Sequence, residues 1–199
     1  MLQGSTDQTV KKALDVLETG GVIAYPTETY YGLGADPFNE TAVKRLYALK
    51  KREREKPILL LIPDLSALDE LVRDIPFLYR PLMDTYWPGP LTLLFPASER
   101  LSPVLTGNTG CIGIRLSSNS FASHLLGQWG RALTATSANI SGERPAASAK
   151  EARDIFGSSL GCILDGGPSP GRKCSTLLGI KEGRLHVVRQ GELDLPNLS

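Results

Sequence analysis

The stretch "VIAYPTETYYGLGADPFNETAVKRLYALKKREREKPILLLI", residues 22–62, contains the features that decide the fold. It opens on four apolar residues, "VIAY", which predict a short buried strand. Asn39 then precedes a segment with apolar residues at helical spacing, and this pattern predicts a helix capped by the Asn39 side chain. The apolar run "ILLLI" at the end is too short for an independent helix and is closed by Pro63, so it predicts a second buried strand. The order is therefore strand, helix, strand.

The rest of the chain continues this alternation. An amphipathic helix ending at Gly20 precedes the first strand. Further predicted strands are "LTLLF", "CIGIR", "ALTAT" and "CILD", and further helices are predicted around 77–86, 122–126 and 149–156. "STLLGI" and "LHVVR" predict a final hairpin. Continuous apolar strands that alternate with helices predict one α/β domain over residues 1–199, with a mixed sheet covered by helices on both faces.

Composition excludes several classes of protein. With 41% hydrophobic and 22% charged residues the chain has an ordinary globular composition, and its net charge of +1 argues against holding nucleic acid through bulk charge. Three widely separated cysteines indicate neither a disulfide framework nor a zinc site, and no other metal motif is present. No apolar run is long enough to span a bilayer. We therefore expect a cytoplasmic protein without a membrane partner.

Two familiar catalytic signatures are absent from the sequence. The two histidines, His124 and His186, accompany no nucleophile motif, which makes Ser-His-Asp catalysis a poor interpretation. The segment "GGPSPGRKCS", residues 166–175, follows a predicted strand as a phosphate-binding loop would. However, it lacks the Gly-Lys-Ser/Thr order, contains two prolines and leads into a strand, so it does not match that motif.

Four polar stretches lie at the ends of predicted strands: "PTETYYGLGAD", the basic run from Lys50 to Lys56, "SANISGERP" and "GGPSPGRKCST". Ligands of α/β sheets bind at strand ends, so these stretches could line one cleft. The alternative is that loops are simply polar and that the basic run is a solvated helix end. Composition alone leaves both interpretations open.

The order of several segments is more specific. "PTETYYGLGADPFNETAVKRLYALKKREREKPILLLI", "WPGPLTLLF", "GIRLSSN", "TATSANISG", "DGG", "ST" and "VVRQGE" together resemble the YrdC-like family of threonylcarbamoyl-AMP synthases, also called TsaC. The resemblance covers about residues 8–192. It includes the family's Lys-x-Arg motif, at Lys50 and Arg52, and its Ser-x-Asn motif, at Ser137 and Asn139. It implies a twisted mixed sheet around a large basic cavity, in the short single-domain form of the family.

The resemblance also implies an activity. Members of the family condense L-threonine, bicarbonate or CO2, and ATP into threonylcarbamoyl-AMP and pyrophosphate, with Mg2+ accompanying the ATP. The product serves formation of threonylcarbamoyladenosine in tRNA, so RNA or tRNA and the threonylcarbamoyl-transferase machinery are further expected partners. A reaction at the α-phosphate depends mainly on positioning and on stabilisation of phosphate charge, which cations and hydroxyl groups supply.

The matching motifs assign roles to individual residues. The residues expected to act in catalysis are Lys50, Arg52, Ser137 and Asn139. Those expected to bind ATP are Arg52, Lys56, Cys111, Ser137, Asn139 and Arg189. Those expected to bind threonine are Thr27, Thr29, Arg115, Ala135 and Ser175, with Ala135 and Cys111 contributing backbone groups only. This chain departs from the family pattern twice, because Lys56 replaces an asparagine and Leu61 replaces a threonine-contacting histidine found in relatives.

Two other functions remain open from the sequence. One is that of a YciO-like relative with different synthase activity, although retention of both motifs favours the synthase. The other is a double-stranded-RNA-binding or ribosome-maturation factor, which the near-neutral charge and the absence of interleaved aromatic and basic residues disfavour.

Overall fold

The computed structural model describes residues 3–195, with side chains described from residue 7. The ends of the predicted 1–199 domain therefore lie outside the described residues. The helices are α1 (Gln3–Glu18), α2 (Glu40–Lys50), α3 (Leu68–Leu71), α4 (Arg80–Tyr86), α5 (Ser120–Trp129) and α6 (Ala149–Phe156). Short 3-10 turns occupy Leu65–Ala67, Phe77–Tyr79 and Gly157–Ser159. The strands are β1 (Ile23–Tyr25), β2 (Gly32–Gly34), β3 (Leu60–Leu61), β4 (Leu91–Pro96), β5 (Cys111–Arg115), β6 (Leu133–Thr134), β7 (Thr136–Ser137), β8 (Cys162–Ile163), β9 (Thr176–Lys181) and β10 (Arg184–Arg189).

The predicted mixed α/β class is confirmed, but the strands are divided between two mixed sheets. One sheet has the strand order β7-β2-β1-β8, and the other has the order β10-β9-β4-β5-β3-β6. Both contain parallel and antiparallel pairs. The division follows from two features of the chain that the apolar pattern did not reveal.

The first feature is β2, which lies in the segment that the sequence predicted as a loop. Gly32 to Gly34 pair antiparallel with β1, so the chain turns back before it enters α2. The close approach of the Tyr25 ring explains the glycines, because a Cβ on Gly34 would lie 2.9 Å from that ring. After this reversal α2 leads to β3, and the two ends of the predicted strand-helix-strand unit belong to different sheets.

The second feature is a break inside "ALTAT". β6 pairs with β3 in the larger sheet, whereas β7 pairs with β2 in the smaller one, with Ala135 between them. Thr134, in the larger sheet, forms hydrogen bonds to two residues of the smaller sheet. Its carbonyl accepts from the Tyr25 hydroxyl at 2.9 Å, and its hydroxyl donates to Leu33 O at 3.2 Å. Ala135 therefore lies where the chain crosses from one sheet to the other.

The local predictions within this frame are largely confirmed. Asn39 caps α2 by accepting a hydrogen bond from the Ala42 amide, and the helix ends at Lys50 because Lys51 is left-handed, with φ of 49°. The terminal hairpin turns through Glu182 and Gly183, both with positive φ, as the tightest hairpin turns require. No helix among residues 3–195 has the length and apolar character needed to cross a membrane.

Candidate active site

A cavity of about 370 Å3 lies between the two sheets. This volume falls in the range typical of sites for small molecules. Its walls come from both sheets and from the loops that follow β1, precede β3 and precede β9. The residues lining it are Thr27, Thr29, Tyr30, Tyr31, Gly32, Arg52, Glu55, Lys56, Pro57, Leu59, Leu94, Arg115, Ala135, Thr136, Ser137, Cys174, Ser175, Leu177, Val188 and Arg189.

Nine of the twelve residues predicted from the sequence line this cavity. They are Thr27, Thr29, Arg52, Lys56, Arg115, Ala135, Ser137, Ser175 and Arg189. The lining has four cationic side chains and one acidic one, Glu55. The cavity can therefore accept a ligand that carries negative charge. The three remaining predicted residues, Lys50, Asn139 and Cys111, lie outside the lining.

The loop after α2 presents Arg52 to the cavity. Its Nε donates to Lys56 O at 3.1 Å and its Nη2 donates to Pro57 O at 2.9 Å, which holds the guanidinium across its own loop. Burial lowers the pKa of Arg52 from its ordinary value. Lys56 lies farther out, since its side chain is 56% exposed and its ammonium pairs with Glu53 at 3.0 Å. The loop therefore offers one cation held by hydrogen bonds and one that is largely exposed.

Lys50 lies behind the cavity wall. Its side chain is buried, and its ammonium donates to Ser137 O at 2.5 Å, to Asn139 O at 2.9 Å and to Asn139 Oδ1 at 2.9 Å. Burial, reinforced by the neighbouring Arg52, lowers the pKa of Lys50 to about 7. The two sequence motifs are thus joined directly, with the lysine of one holding the backbone of the other.

Asn139 completes the same network. Its Oδ1 also accepts a hydrogen bond from Ser137 Oγ at 2.7 Å, and its Nδ2 donates to Glu143 O at 2.6 Å. Ser137 faces the cavity, whereas Lys50 and Asn139 bond to the loop that carries it. The geometry therefore separates a residue that can touch a ligand from two that position it.

The opposite wall carries Arg189 and Ser175. Arg189 Nη2 donates to Ser175 O at 2.9 Å and to Ser175 Oγ at 3.2 Å, and the Ser175 hydroxyl lies 2.8 Å from Thr92 Oγ1. A register shift between Val187 and Arg189 accompanies this arrangement, and Val188 between them also lines the cavity. The irregularity at the end of β10 gives two consecutive residues access to the site.

Arg115 ends β5 and is buried at the cavity, beside the loop that follows β1. The hydroxyls of Thr27 and Thr29 lie 3.0 Å apart in that loop, and Thr27 Oγ1 also donates to Tyr30 O at 2.7 Å. Arg115 Nη1 lies 2.5 Å from Glu28 Oε1. Sequence reasoning did not identify Glu28 as part of the site, although its place between two threonines of a β1-terminal loop was a usable signal.

The P-loop-like segment also contributes in a way that sequence reasoning missed. Tyr31 Oη donates to Gly167 O at 2.7 Å, Tyr30 Oη donates to Arg172 O at 3.1 Å, and the Gly171 amide donates to Thr29 O at 2.9 Å. These bonds tie the segment to the first loop. The segment therefore closes one side of the cavity and brings Cys174 and Ser175 into its wall.

Cys111 and Ala135 were expected to contribute backbone groups. Ala135 lines the cavity at the crossing between the sheets, and its amide donates to Leu59 O at 2.7 Å. Cys111 lies at the start of β5, about 13 Å along the strand from Arg115 at the usual rise per residue, and does not line the cavity. Among the described residues no cluster of histidine, cysteine and acidic side chains could hold a metal ion.

A family model and several known proteins resemble most of this chain. A family model described as Sua5/YciO/YrdC, telomere recombination, matches residues 15–191. A threonylcarbamoyl-AMP synthase from Pyrococcus abyssi is 34% identical over 189 residues, which is 95% of this chain and 56% of that protein. A threonylcarbamoyl-AMP synthase from Idiomarina loihiensis is 42% identical over 147 residues, which is 73% of this chain and 79% of that protein. The chain thus spans little more than half the length of the Pyrococcus relative.

Solved structures support the same grouping. P. abyssi Sua5 complexed with L-threonine gives a TM-score of 0.88 at 35% identity, covering 92% of this chain and 54% of that one. E. coli YciO gives a TM-score of 0.86 at 25% identity, covering 96% of this chain and 93% of that one. The identity to the two synthases is therefore higher than the identity to YciO.

Proposed function

Because the chain belongs to the Sua5/YciO/YrdC family, we propose that it is a threonylcarbamoyl-AMP synthase that joins L-threonine, bicarbonate or CO2, and ATP. The observation that carries the proposal is the cavity itself, which combines Arg52 and Arg189 with a buried arginine, Arg115, beside the Thr29 hydroxyl. The carboxylate of an amino acid and the phosphates of a nucleotide each need cationic side chains, and the cavity supplies several.

The amino acid is bound at Arg115. A guanidinium carries several N–H donors in a planar fork, and Glu28 engages Arg115 through Nη1. The other donors can form a two-pronged contact with the carboxylate of threonine. Thr27 and Thr29 supply hydroxyls at the same wall. This arrangement holds the amino acid with its amine available for reaction.

The nucleotide is bound by Arg52, Lys56, Ser137 and Arg189. The threonine amine first attacks the carbon of CO2, loses a proton and becomes a carbamate. When bicarbonate is the donor, that proton and the hydroxide lost from bicarbonate leave together as water. A carbamate oxygen then attacks the α-phosphorus, the bond to the bridging oxygen breaks, and pyrophosphate departs. Fixed cations and hydroxyl donors stabilise the charge that develops on the phosphate oxygens.

We assign Lys50, which the sequence predicted among the catalytic residues, a positioning role. The three hydrogen bonds of its ammonium all go to the Ser137–Asn139 segment, so it positions Ser137. We assign Asn139 the same positioning role. Cys111 is not among the residues that line the cavity, and we assign it no part in nucleotide binding.

Magnesium enters as part of the MgATP substrate. Glu55 is the one carboxylate among the described residues that line the cavity, and Mg2+ bound to a nucleotide commonly takes only one or two protein carboxylates in addition to phosphate oxygens and water. The donor set thus fits a metal held mainly by the nucleotide. The product would pass to an enzyme that transfers threonylcarbamoyl groups to tRNA.

Release of pyrophosphate from ATP, measured with threonine and bicarbonate omitted in turn, tests the proposed function. The synthase requires both for release. A YciO-like relative with another reaction would release pyrophosphate without threonine or not at all. Equal release with and without threonine would exclude the proposed reaction.

A further inference from the structure

We propose that Glu28 is a positioning residue that fixes Arg115 for the amino-acid carboxylate, an inference that rests on the proposed function. Glu28 stands between Thr27 and Thr29, both of which line the cavity, whereas Glu28 does not. The chain bends at residues 28–30, where the Thr27 hydroxyl accepts a hydrogen bond from the Thr29 amide at 3.1 Å. In this turn the two threonines contribute to the cavity wall, whereas the Glu28 carboxylate bonds to Arg115.

Both oxygens of the Glu28 carboxylate are engaged by protein groups. Oε1 accepts from Arg115 Nη1 at 2.5 Å, and Oε2 accepts a short hydrogen bond from the Ser117 hydroxyl. The Glu28 side chain is 13% exposed and that of Arg115 is 7% exposed. A carboxylate so held has little freedom to move, and it orients the guanidinium through a charge-assisted bond.

Ser117 connects this pair to the fold. Its hydroxyl accepts from the Asn119 amide at 3.2 Å, and Asn119 in turn caps α5 by accepting from the amides of Phe121 and Ala122. Ser117 itself is buried. The chain of contacts from the helix cap through Ser117 to Glu28 therefore anchors Arg115 to a rigid element.

Pre-orientation of Arg115 matters because the carboxylate contact is useful only in one geometry. A two-pronged bond needs the guanidinium plane to face the ligand, and a buried arginine without a partner would rotate or draw water to satisfy its charge. Holding one edge of the plane on Glu28 leaves the rest directed to the ligand. Catalysis by positioning is sensitive to displacements of about 1 Å, so the loss of this restraint should reduce threonine binding and turnover.

The alternative role for Glu28 is merely to neutralise a buried charge. Asp36 offers a matched control, because its side chain is also 13% exposed and pairs with Arg131 at 3.5 Å, outside the cavity. Substitution of Asp36 should affect stability without changing the affinity for either substrate. Substitution of Glu28 should change one affinity selectively.

The experiment compares wild type, Glu28→Gln, Ser117→Ala and Asp36→Asn by calorimetric titration with L-threonine and, separately, with ATP. We expect Glu28→Gln to weaken threonine binding by about tenfold to hundredfold, since hydrogen bonds to charged groups contribute in that range, with ATP affinity unchanged. Ser117→Ala, which keeps the carboxylate but frees it, should give a smaller loss in the same direction. Combining Glu28→Gln with Arg115→Lys should add little to the Arg115→Lys loss.

Three outcomes are distinguishable. Unchanged threonine affinity in folded Glu28→Gln would overturn the positioning role and leave the proposed function intact. Equal losses for threonine and ATP would show a structural role and overturn it as well. If wild type itself binds no threonine, the proposed function fails and this inference fails with it. Should Glu28→Gln not fold, Ser117→Ala decides, and a threonine affinity equal to that of wild type would refute the proposal.

Discussion

Replacing Lys50 with methionine should change how stability depends on pH. The ammonium is buried against three oxygen acceptors, and burial together with Arg52 lowers the pKa of Lys50 to about 7 from an ordinary value of 10.5. The unfolded chain therefore binds a proton on Lys50 that the folded chain releases between these two pH values. Wherever the unfolded state binds more protons, stability rises with pH. The methionine variant lacks this contribution.

The magnitude follows from the two pKa values. Between pH 7 and pH 9, wild type should gain about 2 kcal/mol of unfolding free energy relative to Lys50→Met. Urea denaturation of both proteins at the two pH values measures this difference, and other titrating groups cancel because both proteins share them. Lys51→Met is the matched control, since Lys51 is exposed and its substitution should leave the pH dependence unchanged.

Parallel stability curves for wild type and Lys50→Met would refute this reasoning. They would mean that Lys50 keeps its ordinary pKa when folded. The three hydrogen bonds would then offset the cost of burying the charge, and Lys50 would remain fully protonated throughout the working range. If wild type instead lost unfolding free energy relative to Lys50→Met as pH rises, the sign of the pKa shift would be wrong.

Three further predictions concern the cavity. Arg52→Ala should lower turnover roughly a hundredfold, by analogy with removal of one preorganised donor. Arg54→Ala, in the exposed part of the same loop, should leave turnover nearly unchanged. Steady-state rates of the two folded variants test this. Arg115→Lys should weaken threonine binding more than ATP binding in calorimetric titration, because lysine keeps the charge but cannot form the two-pronged contact, and an unchanged threonine affinity would remove Arg115 from the site. Alkylation of Cys174, which lines the cavity, should abolish synthase activity, and bound ATP should slow the alkylation. Cys174→Ser should resist the reagent. Inactivation at the same rate with ATP present would contradict the placement of ATP in this cavity.

The sequence predicted individual elements well because their signals are local. The cap at Asn39, the strand "CIGIR" and the helix from Ala149 to Phe156 all depend on residues within one or two turns of each other. The division into two sheets could not be predicted in this way. It depends on strands of two or three residues, such as β2 and β7, which are too short to show a periodic pattern.

The site shows the same limit. The resemblance selected nine residues that the fold brings to one cavity, yet it could not show that the Lys50 ammonium bonds to Ser137 and Asn139. Those bonds depend on oxygen acceptors from a segment far away in the sequence. Glu28 was missed for a related reason, since its partners Arg115 and Ser117 lie in another part of the chain.

The central claim is that this cavity joins threonine to a one-carbon unit and to AMP. Mass spectrometry of the product formed from carbon-13 bicarbonate, L-threonine and MgATP tests it most directly. We predict that the label appears in a threonylcarbamoyl-AMP product, that pyrophosphate forms in equal amount, and that both disappear when threonine is withheld. Conversion of ATP to AMP and pyrophosphate without a labelled product, or a labelled nucleotide formed without threonine, would contradict the claim.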